Sequence, residues 1–207
     1  MRARPLVSSL LALLAAGCAP PQTALVNLWI NADYAGEAPK HVMVVALWQD
    51  RNARALWEQR FAQVLAEKHI DATPSYLESP VPMPDSATVF HVAGNRRCDG
   101  VLVIHERVMY RNSYYIPGLT QPQKPKTPRW FRATPGTEVW AGDSAGAAGF
   151  NRPSCDVELW VPGGRAAMVW SGTGEVAYPG SDNDAACSVA GTVVSELSRL
   201  GLVPSPL

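Results

Sequence analysis

The feature that most constrains the fold is an unbroken apolar run from Val42 to Leu47. A run of strand length without alternation is typical of a strand that is buried on both faces, as in sheets covered by helices on both sides. Asp50 follows the run and is a good helix N-cap. The sequence therefore predicts a buried strand from His41 to Leu47 and then a helix.

The predicted helix is amphipathic. Its apolar residues recur at helical spacing, and its polar residues are expected on the solvent side. The apolar set is Trp57, Phe61, Val64 and Leu65, and the solvent set is Glu58, Arg60, Gln63 and Glu67. We expect a helix of about 17 residues that lies on a sheet with one face in water.

Later segments continue the alternation of strands and helices. Residues 72–77 predict a second strand, which Pro74 places at an edge of the sheet. Asp85 is expected to cap a short helix towards Arg97, and the run that starts at Val101 predicts the central strand. This order favours parallel pairing in the first half of the domain.

The second half predicts antiparallel strands and a last helix. Strands are expected from Cys155 to Val161 and from residue 166 to 178, and a helix capped within residues 181–184 ends at Gly201. The predicted fold is a single α/β domain of two or three layers. Its mixed sheet is parallel in the N-terminal half and antiparallel in the C-terminal hairpins, with about three helices.

Residues 111–152 break this pattern. They are rich in proline and glycine without a sustained period, and we interpret them as a long excursion from a hairpin. Their basic and aromatic residues suit anionic lipid headgroups, glycan strands or a protein groove, and the alternative is a solvated loop that folds back on the sheet. The predicted partner-binding residues are Tyr114, Tyr115, Lys124, Lys126, Arg129, Trp130, Phe131 and Arg132.

The N-terminus predicts a lipoprotein signal peptide. Arg2 and Arg4 supply a positive start, residues 6–16 supply a short apolar segment, and small residues precede Cys18. Cleavage would leave Cys18 as a lipidated N-terminus, for example with palmitate. We therefore expect a signal peptide over residues 1–17, a lipidated tether over 18–27 and the α/β domain over 28–207.

The same features predict the location. Ala19 follows the lipidated cysteine, and an Asp at that place is the inner-membrane retention signal known for enterobacteria. We expect attachment through acyl chains to the outer membrane, with the domain on its periplasmic face. Without Arg2 and Arg4 the 18 basic and 18 acidic residues leave a net charge of −2, which does not favour a nucleic-acid partner.

Three further cysteines remain in the mature chain. An oxidising periplasm permits one disulfide with one thiol left over. The predicted strands place Cys155 near the start of the last helix, which carries Cys187. We expect a Cys155–Cys187 disulfide with Cys98 free, and other pairings stay open at this stage.

Two motifs of possible chemistry are weak. Ser144 lies in a G-x-S-x-G sequence, but all four histidines precede it and the residues that follow do not form a helix pattern. His91, Cys98 and His105 lack the close paired spacing of structural zinc sites. We expect no catalytic residue, no metal site and no cofactor, with a serine hydrolase at Ser144 as the alternative of another class.

Several phrases of the sequence are similar to a family of uncharacterised bacterial envelope lipoproteins. These are Leu28-Trp29-Ile30, Tyr34-Ala35-Gly36, the strand 42–47, the helix 51–66, residues 72–76, Asp99-Gly100-Val101-Leu102-Val103, Trp170-Ser171-Gly172 and residues 201–204. The resemblance covers almost the whole mature chain except residues 119–152. More distantly, the arrangement resembles the α/β domain of the TolB N-terminus and of the curli-secretion lipoprotein.

The resemblance implies scaffolding or partner binding, because none of the shared phrases is catalytic. We expect a non-enzymatic envelope component whose partner is another envelope protein or peptidoglycan. The alternative is a subunit of an oligomeric secretion or assembly complex.

Overall fold

The computed structural model describes residues 22–107, 154–163, 166–177 and 179–204. Within them, six strands form one sheet in the order β1-β6-β5-β4-β2-β3. The strands are β1 (Gln22–Ile30), β2 (His41–Leu47), β3 (Asp71–Pro74), β4 (Gly100–Arg107), β5 (Ser154–Val161) and β6 (Ala167–Ala177). The helices are α1 (Arg51–Glu67), α2 (Ser86–Asn95) and α3 (Asp182–Arg199), with a 3₁₀ helix at Ser75–Leu77. None of the described helices is both long and apolar enough to cross a membrane.

The sheet is mixed, as predicted. β2 pairs in parallel with β3 and with β4, whereas the β4–β5, β5–β6 and β6–β1 pairs are antiparallel. The predicted α/β class with a parallel first half and antiparallel hairpins is therefore confirmed.

Helices cover both faces of the sheet, which makes three layers. On one face, Phe61 of α1 and Val189 of α3 pack with sheet residues such as Trp170 in the larger apolar cluster. On the other face, Val89 of α2 packs against Met43 and neighbouring residues of β2 and β4. The run 42–47 is buried because both faces of β2 are covered.

The helix ends follow the predicted caps. The side chains of Asp50 and Asp85 accept hydrogen bonds from the backbone N–H groups of Ala53 and Thr88, both at 2.7 Å. Ser181 caps α3 in the same way. Gly201 has a φ of 70°, a left-handed conformation that favours glycine after a helix.

Two predicted boundaries change. β1 begins at Gln22, so most of the segment predicted as a tether over residues 18–27 is an edge strand paired with β6. The predicted strand 72–77 is only β3, because the chain turns into the 3₁₀ helix after Pro74. Its predicted place at an edge of the sheet is confirmed.

Candidate interaction site at one end of the sheet

The strand directions bring several chain ends together. β2, β4 and β6 run one way, whereas β1 and β5 run the opposite way. The carboxyl ends of the first three therefore lie beside the amino ends of the other two. We call this end of the sheet the tether end, because residues 18–21, where the predicted tether starts, precede β1. The strand ends that lie there are Gln22, Leu47, Arg107, Ser154 and Ala177.

The two strands that flank the excursion, β4 and β5, meet it at the tether end. We call Arg107 and Ser154 the roots of the excursion. Arg107 and Ser154 are paired neighbours on β4 and β5, so the intervening segment leaves and rejoins adjacent strands. This confirms the prediction that it interrupts a hairpin between the central strand and β5. Gln22, where β1 begins, lies three strands from Arg107, which is about 14 Å at the usual strand spacing.

A row of polar side chains lies below these roots, on the α2 face of the sheet. His105, Asp156 and Thr173 are direct neighbours across β4, β5 and β6. The Thr173 hydroxyl donates to Asp156 Oδ1 at 2.6 Å, and Asn27 Nδ2 donates to the Thr173 oxygen at 3.4 Å. These hydrogen bonds satisfy polar side chains on a part of the sheet where apolar side chains would need another element to shield them from water.

Glu158 extends this row and is buried. Its Oε2 accepts a hydrogen bond from Trp160 Nε1 at 3.0 Å and lies 3.5 Å from His105 Nε2. That nitrogen is shielded from water and makes no hydrogen bond within the described residues. The row stabilises a polar strip on this face of the sheet, and no group of three acidic, histidine or cysteine side chains in the described part of the chain is arranged to hold a metal ion.

A second polar cluster is a fully buried ion pair on α1. Arg54 Nε donates to Glu58 Oε1 at 2.8 Å, and the two side chains are 2% and 0% exposed. Glu58 also accepts from the backbone N–H groups of Ala46 and Tyr76, at 3.0 and 2.7 Å, and from the Ser75 hydroxyl at 2.9 Å. The pair therefore joins β2, α1 and the 3₁₀ helix.

Arg54 fixes the loop that follows. Its guanidinium donates to the Ser75 hydroxyl, to the carbonyl oxygen of Ser79 at 3.2 Å and to that of Val81. A buried charge is stable only when it is paired and hydrogen-bonded, and both conditions are met here. The prediction that Glu58 faces water is wrong, because the β3–α2 connection closes over this side of α1.

The predicted functional residues of the N-terminus and the excursion lie outside the described residues. This applies to Cys18, the predicted lipidation site, to Ser144 and to the eight predicted partner-binding residues, Tyr114, Tyr115, Lys124, Lys126, Arg129, Trp130, Phe131 and Arg132. The structure nevertheless defines where their segments join the sheet, which is the tether end.

The cysteine prediction is corrected. Cys98, Cys155 and Cys187 are free thiols in the structure. Cys155 lies near the start of β5, opposite Gly174 near the end of β6, as the predicted topology required. The rotation of α3 prevents the bond, because Ala186 packs on the sheet and leaves Cys187 exposed. Burial raises the pKa of the Cys155 thiol far above its ordinary value.

The histidine and cysteine residues near α2 are separate from one another. His91 is exposed and its Nε2 lies 3.2 Å from Asn95 Nδ2 on the same helix. Cys98 is buried after α2, where burial and then the Asp99 charge raise the pKa of its thiol. His105 belongs to the polar row on β4.

Comparisons with known proteins give similarity of structure alone. No family model matches the chain, and no curated protein matches it. A PelC dodecamer from Paraburkholderia phytofirmans is 14% identical with a TM-score of 0.43, over 84% of this chain and 96% of that one. A second PelC dodecamer structure from that organism is 16% identical with a TM-score of 0.42, over 85% and 98%. A DUF4136 family protein from Bacteroides thetaiotaomicron is 10% identical with a TM-score of 0.43, over 88% and 98%.

Proposed function

We propose that this chain is a lipid-anchored lipoprotein of the bacterial envelope that binds a partner and catalyses no reaction. Acyl chains on Cys18 attach it to the outer membrane, and the domain lies on the periplasmic face. The observation that carries the proposal is that the tether and both roots of the excursion meet at one end of the sheet.

This arrangement determines where a partner would bind. Cys18 precedes Gln22 by four positions, so the strand begins at most about 14 Å from the lipidated residue. The root at Arg107 lies about 14 Å from Gln22 across the sheet. A partner that binds beside these roots would therefore lie close to the membrane surface, and envelope proteins or peptidoglycan strands suit the basic and aromatic residues of the excursion.

The lipid anchor is tested by replacing its sulfur. Cys18→Ser removes the acyl acceptor, and we expect loss of metabolic palmitate labelling and of the protein from the membrane fraction. A variant at another thiol, Cys187→Ser, is the matched control and should keep both. Unchanged labelling and fractionation of the Cys18 variant would contradict the anchor.

The partner-binding role is tested by deleting residues 119–150 from the lipidated protein. Because the deletion joins segments rooted on adjacent strands, we expect unchanged circular dichroism but loss of the proteins captured by crosslinking in intact cells. A second variant keeps the length of the segment and replaces its four basic predicted residues with Gln, which separates charge from length. Capture that persists in the deletion variant contradicts the proposal.

A second candidate is a subunit of an oligomeric envelope assembly, and the edge strand β1 favours it. β1 has nine residues and no charged side chain, and Leu28 and Ile30 are 42% and 45% exposed. Edge strands usually carry charges or proline that prevent pairing with another chain. The opposite edge, β3, has only four residues and ends at Pro74.

Sizing of the detergent-solubilised lipidated protein tests this candidate. An assembly that forms through β1 should dissociate when Leu28→Lys places a charge on the edge, whereas Leu77→Lys on the opposite side of the sheet should leave it intact. A monomer at every concentration removes the candidate.

The absence of catalysis is tested at the one motif that suggests a nucleophile. We expect an esterase assay to give the same background rate for the natural chain and for Ser144→Ala. A rate that falls with the substitution would favour the hydrolase instead.

A further inference from the structure

The outer side of β1 offers backbone hydrogen-bonding groups. Within the described residues no strand pairs with that side. The N–H of Asn31 donates to the carbonyl oxygen of Val169, next to β6 on the same strand direction, at 2.9 Å. Successive residues of an antiparallel strand alternate in the side to which their backbone groups point, so the N–H and C=O of Ile30 point away from β6. Groups of this kind at a sheet edge can pair with an added strand.

Two exposed apolar side chains lie at this part of the edge, Leu28 and Ile30. Ile30 is directly opposite Trp170, which packs in the apolar cluster that includes α3. A Cβ at Gly172 would meet Leu28 and Trp170, both at 2.9 Å. Because directly opposite residues share a face of the sheet, Leu28 and Ile30 both lie on the α3 face.

An open groove separates this edge from α3. It is lined by Leu25 and Leu28 of β1 and by Gly191, Thr192, Ser195, Glu196 and Arg199 of α3. Gly191 lies in the middle of α3, where glycine is less stable than alanine. A Cβ at Gly191 would meet no atom within 4 Å, so packing inside the chain does not require glycine there. The groove therefore leaves room beside Gly191 for a side chain of another molecule.

The charges at the edge favour a second copy of this chain as the occupant. β1 has no charged residue, so two copies of the strand do not repel each other. At the border of the groove Glu196 accepts hydrogen bonds from Arg199 at 2.7 Å, so each copy presents both signs of charge. A head-to-tail contact is unfavourable, because β3 has four residues and begins with Asp71, and more than half of β1 would stay unpaired.

We propose that two copies of this chain associate through β1, as antiparallel neighbours in one continuous sheet. This inference rests on the second candidate function, the oligomeric assembly, and names its contact. A two-fold axis beside Trp29 places Ile30 of each copy opposite Leu28 of the other, and the Ile30 side chain enters the groove beside Gly191. The paired strands run in opposite directions, so both lipid anchors reach one bilayer only if the sheet lies along the membrane surface.

The test measures the mass of the full lipidated protein by sedimentation in density-matched detergent. Gly191→Leu fills the groove without a clash inside the chain, so we expect a melting temperature that is unchanged or higher. The dissociation constant of the dimer should rise about tenfold or more, because the site is then overpacked. Gly94→Leu is the matched control, since Gly94 is a glycine of α2 with the same open space, and it should leave the dimer intact.

A second variant tests the backbone contact. Ile30→Pro removes the N–H that points outward and keeps the pairing of β1 with β6, because proline is tolerated at such edge positions. Ile30→Val keeps that N–H and is the control. We expect the proline variant to be folded by circular dichroism but monomeric, and the valine variant to be dimeric.

The outcomes separate this inference from the oligomeric candidate. An assembly that persists in Gly191→Leu and Ile30→Pro, or that contains more than two copies, contradicts the pairing through β1 and leaves the candidate in place. A natural chain that is monomeric at every concentration contradicts both, and a strand of another protein would then be the occupant of the edge.

Discussion

The substitution Glu58→Gln tests the buried ion pair most directly. It changes the size of the side chain little but removes the charge that faces Arg54, and it replaces one acceptor oxygen with a donor. Glu58 accepts four hydrogen bonds, from the N–H groups of Ala46 and Tyr76, from Arg54 Nε and from the Ser75 hydroxyl. An amide in its place would direct N–H groups at donors, because both carboxylate oxygens are occupied.

The expected loss of stability follows from the burial of the partner. Removal of one member of a buried ion pair costs about 3–5 kcal/mol, because the other charge stays buried without compensation. For a domain of this size, about 2–4 °C of melting temperature is lost per kcal/mol, so we expect a decrease of about 6–20 °C. Thermal and urea unfolding followed by circular dichroism measure the change.

The control is Glu67→Gln, the same substitution at an exposed position of the same helix. Surface changes of this kind usually alter the free energy of unfolding by less than about 0.5 kcal/mol. If Glu58→Gln unfolds within about 1 kcal/mol of the natural chain, the ion pair does not stabilise the β3–α2 connection and the reasoning is refuted.

Three further outcomes are expected. Gly174→Val should destabilise the domain by about 1–3 kcal/mol in urea unfolding, because a Cβ at that position meets Val189 Cγ1 at 3.0 Å. The bond from the Thr88 N–H lowers the pKa of the Asp85 carboxyl, so its stabilising effect is present at neutral pH and is lost as the pH falls through the lowered folded-state pKa. Melting of the natural chain against Asp85→Ala, which removes the acceptor of the Thr88 N–H, should show the difference shrink on acidification; a constant difference would contradict the ionised cap. A thiol reagent should modify Cys187 alone in the native mature domain, and mass spectrometry would reveal a second reactive site if the burial of the others is wrong.

The parts of the fold that sequence predicted are those with strong local signals. The run 42–47 is apolar at every position, as a strand covered on both faces requires. Asp50, Asp85 and Ser181 stand before helical patterns and cap them as expected. The excursion was located by its proline and glycine content, and its roots follow from the strands on either side.

The parts that sequence missed depend on contacts between distant segments. β1 combines polar and apolar residues without clear alternation, and a bulge at Asn27, with a φ of 53°, breaks its period. Glu58 has the spacing of a solvent-facing residue, and only the return of the chain after β3 buries it. The predicted disulfide was wrong for another reason: the pairing followed from strand order alone, whereas the apolar spacing of Ala186, Val189 and Ala190 already places Cys187 off the buried face of α3.

The buried pair also explains why an apolar pair would not serve the same purpose on α1. Replacement of a buried ion pair by apolar residues of similar volume is often neutral or stabilising, so the stability of the core alone does not require Arg54 and Glu58. Apolar side chains would not supply hydrogen-bond partners for the carbonyl oxygens of Ser79 and Val81 or for the N–H of Tyr76. Without those partners, these backbone groups of the β3–α2 connection would lose their hydrogen bonds, which costs free energy when such groups are buried. The ion pair is thus explained by the backbone groups of the β3–α2 connection whose hydrogen bonds it supplies.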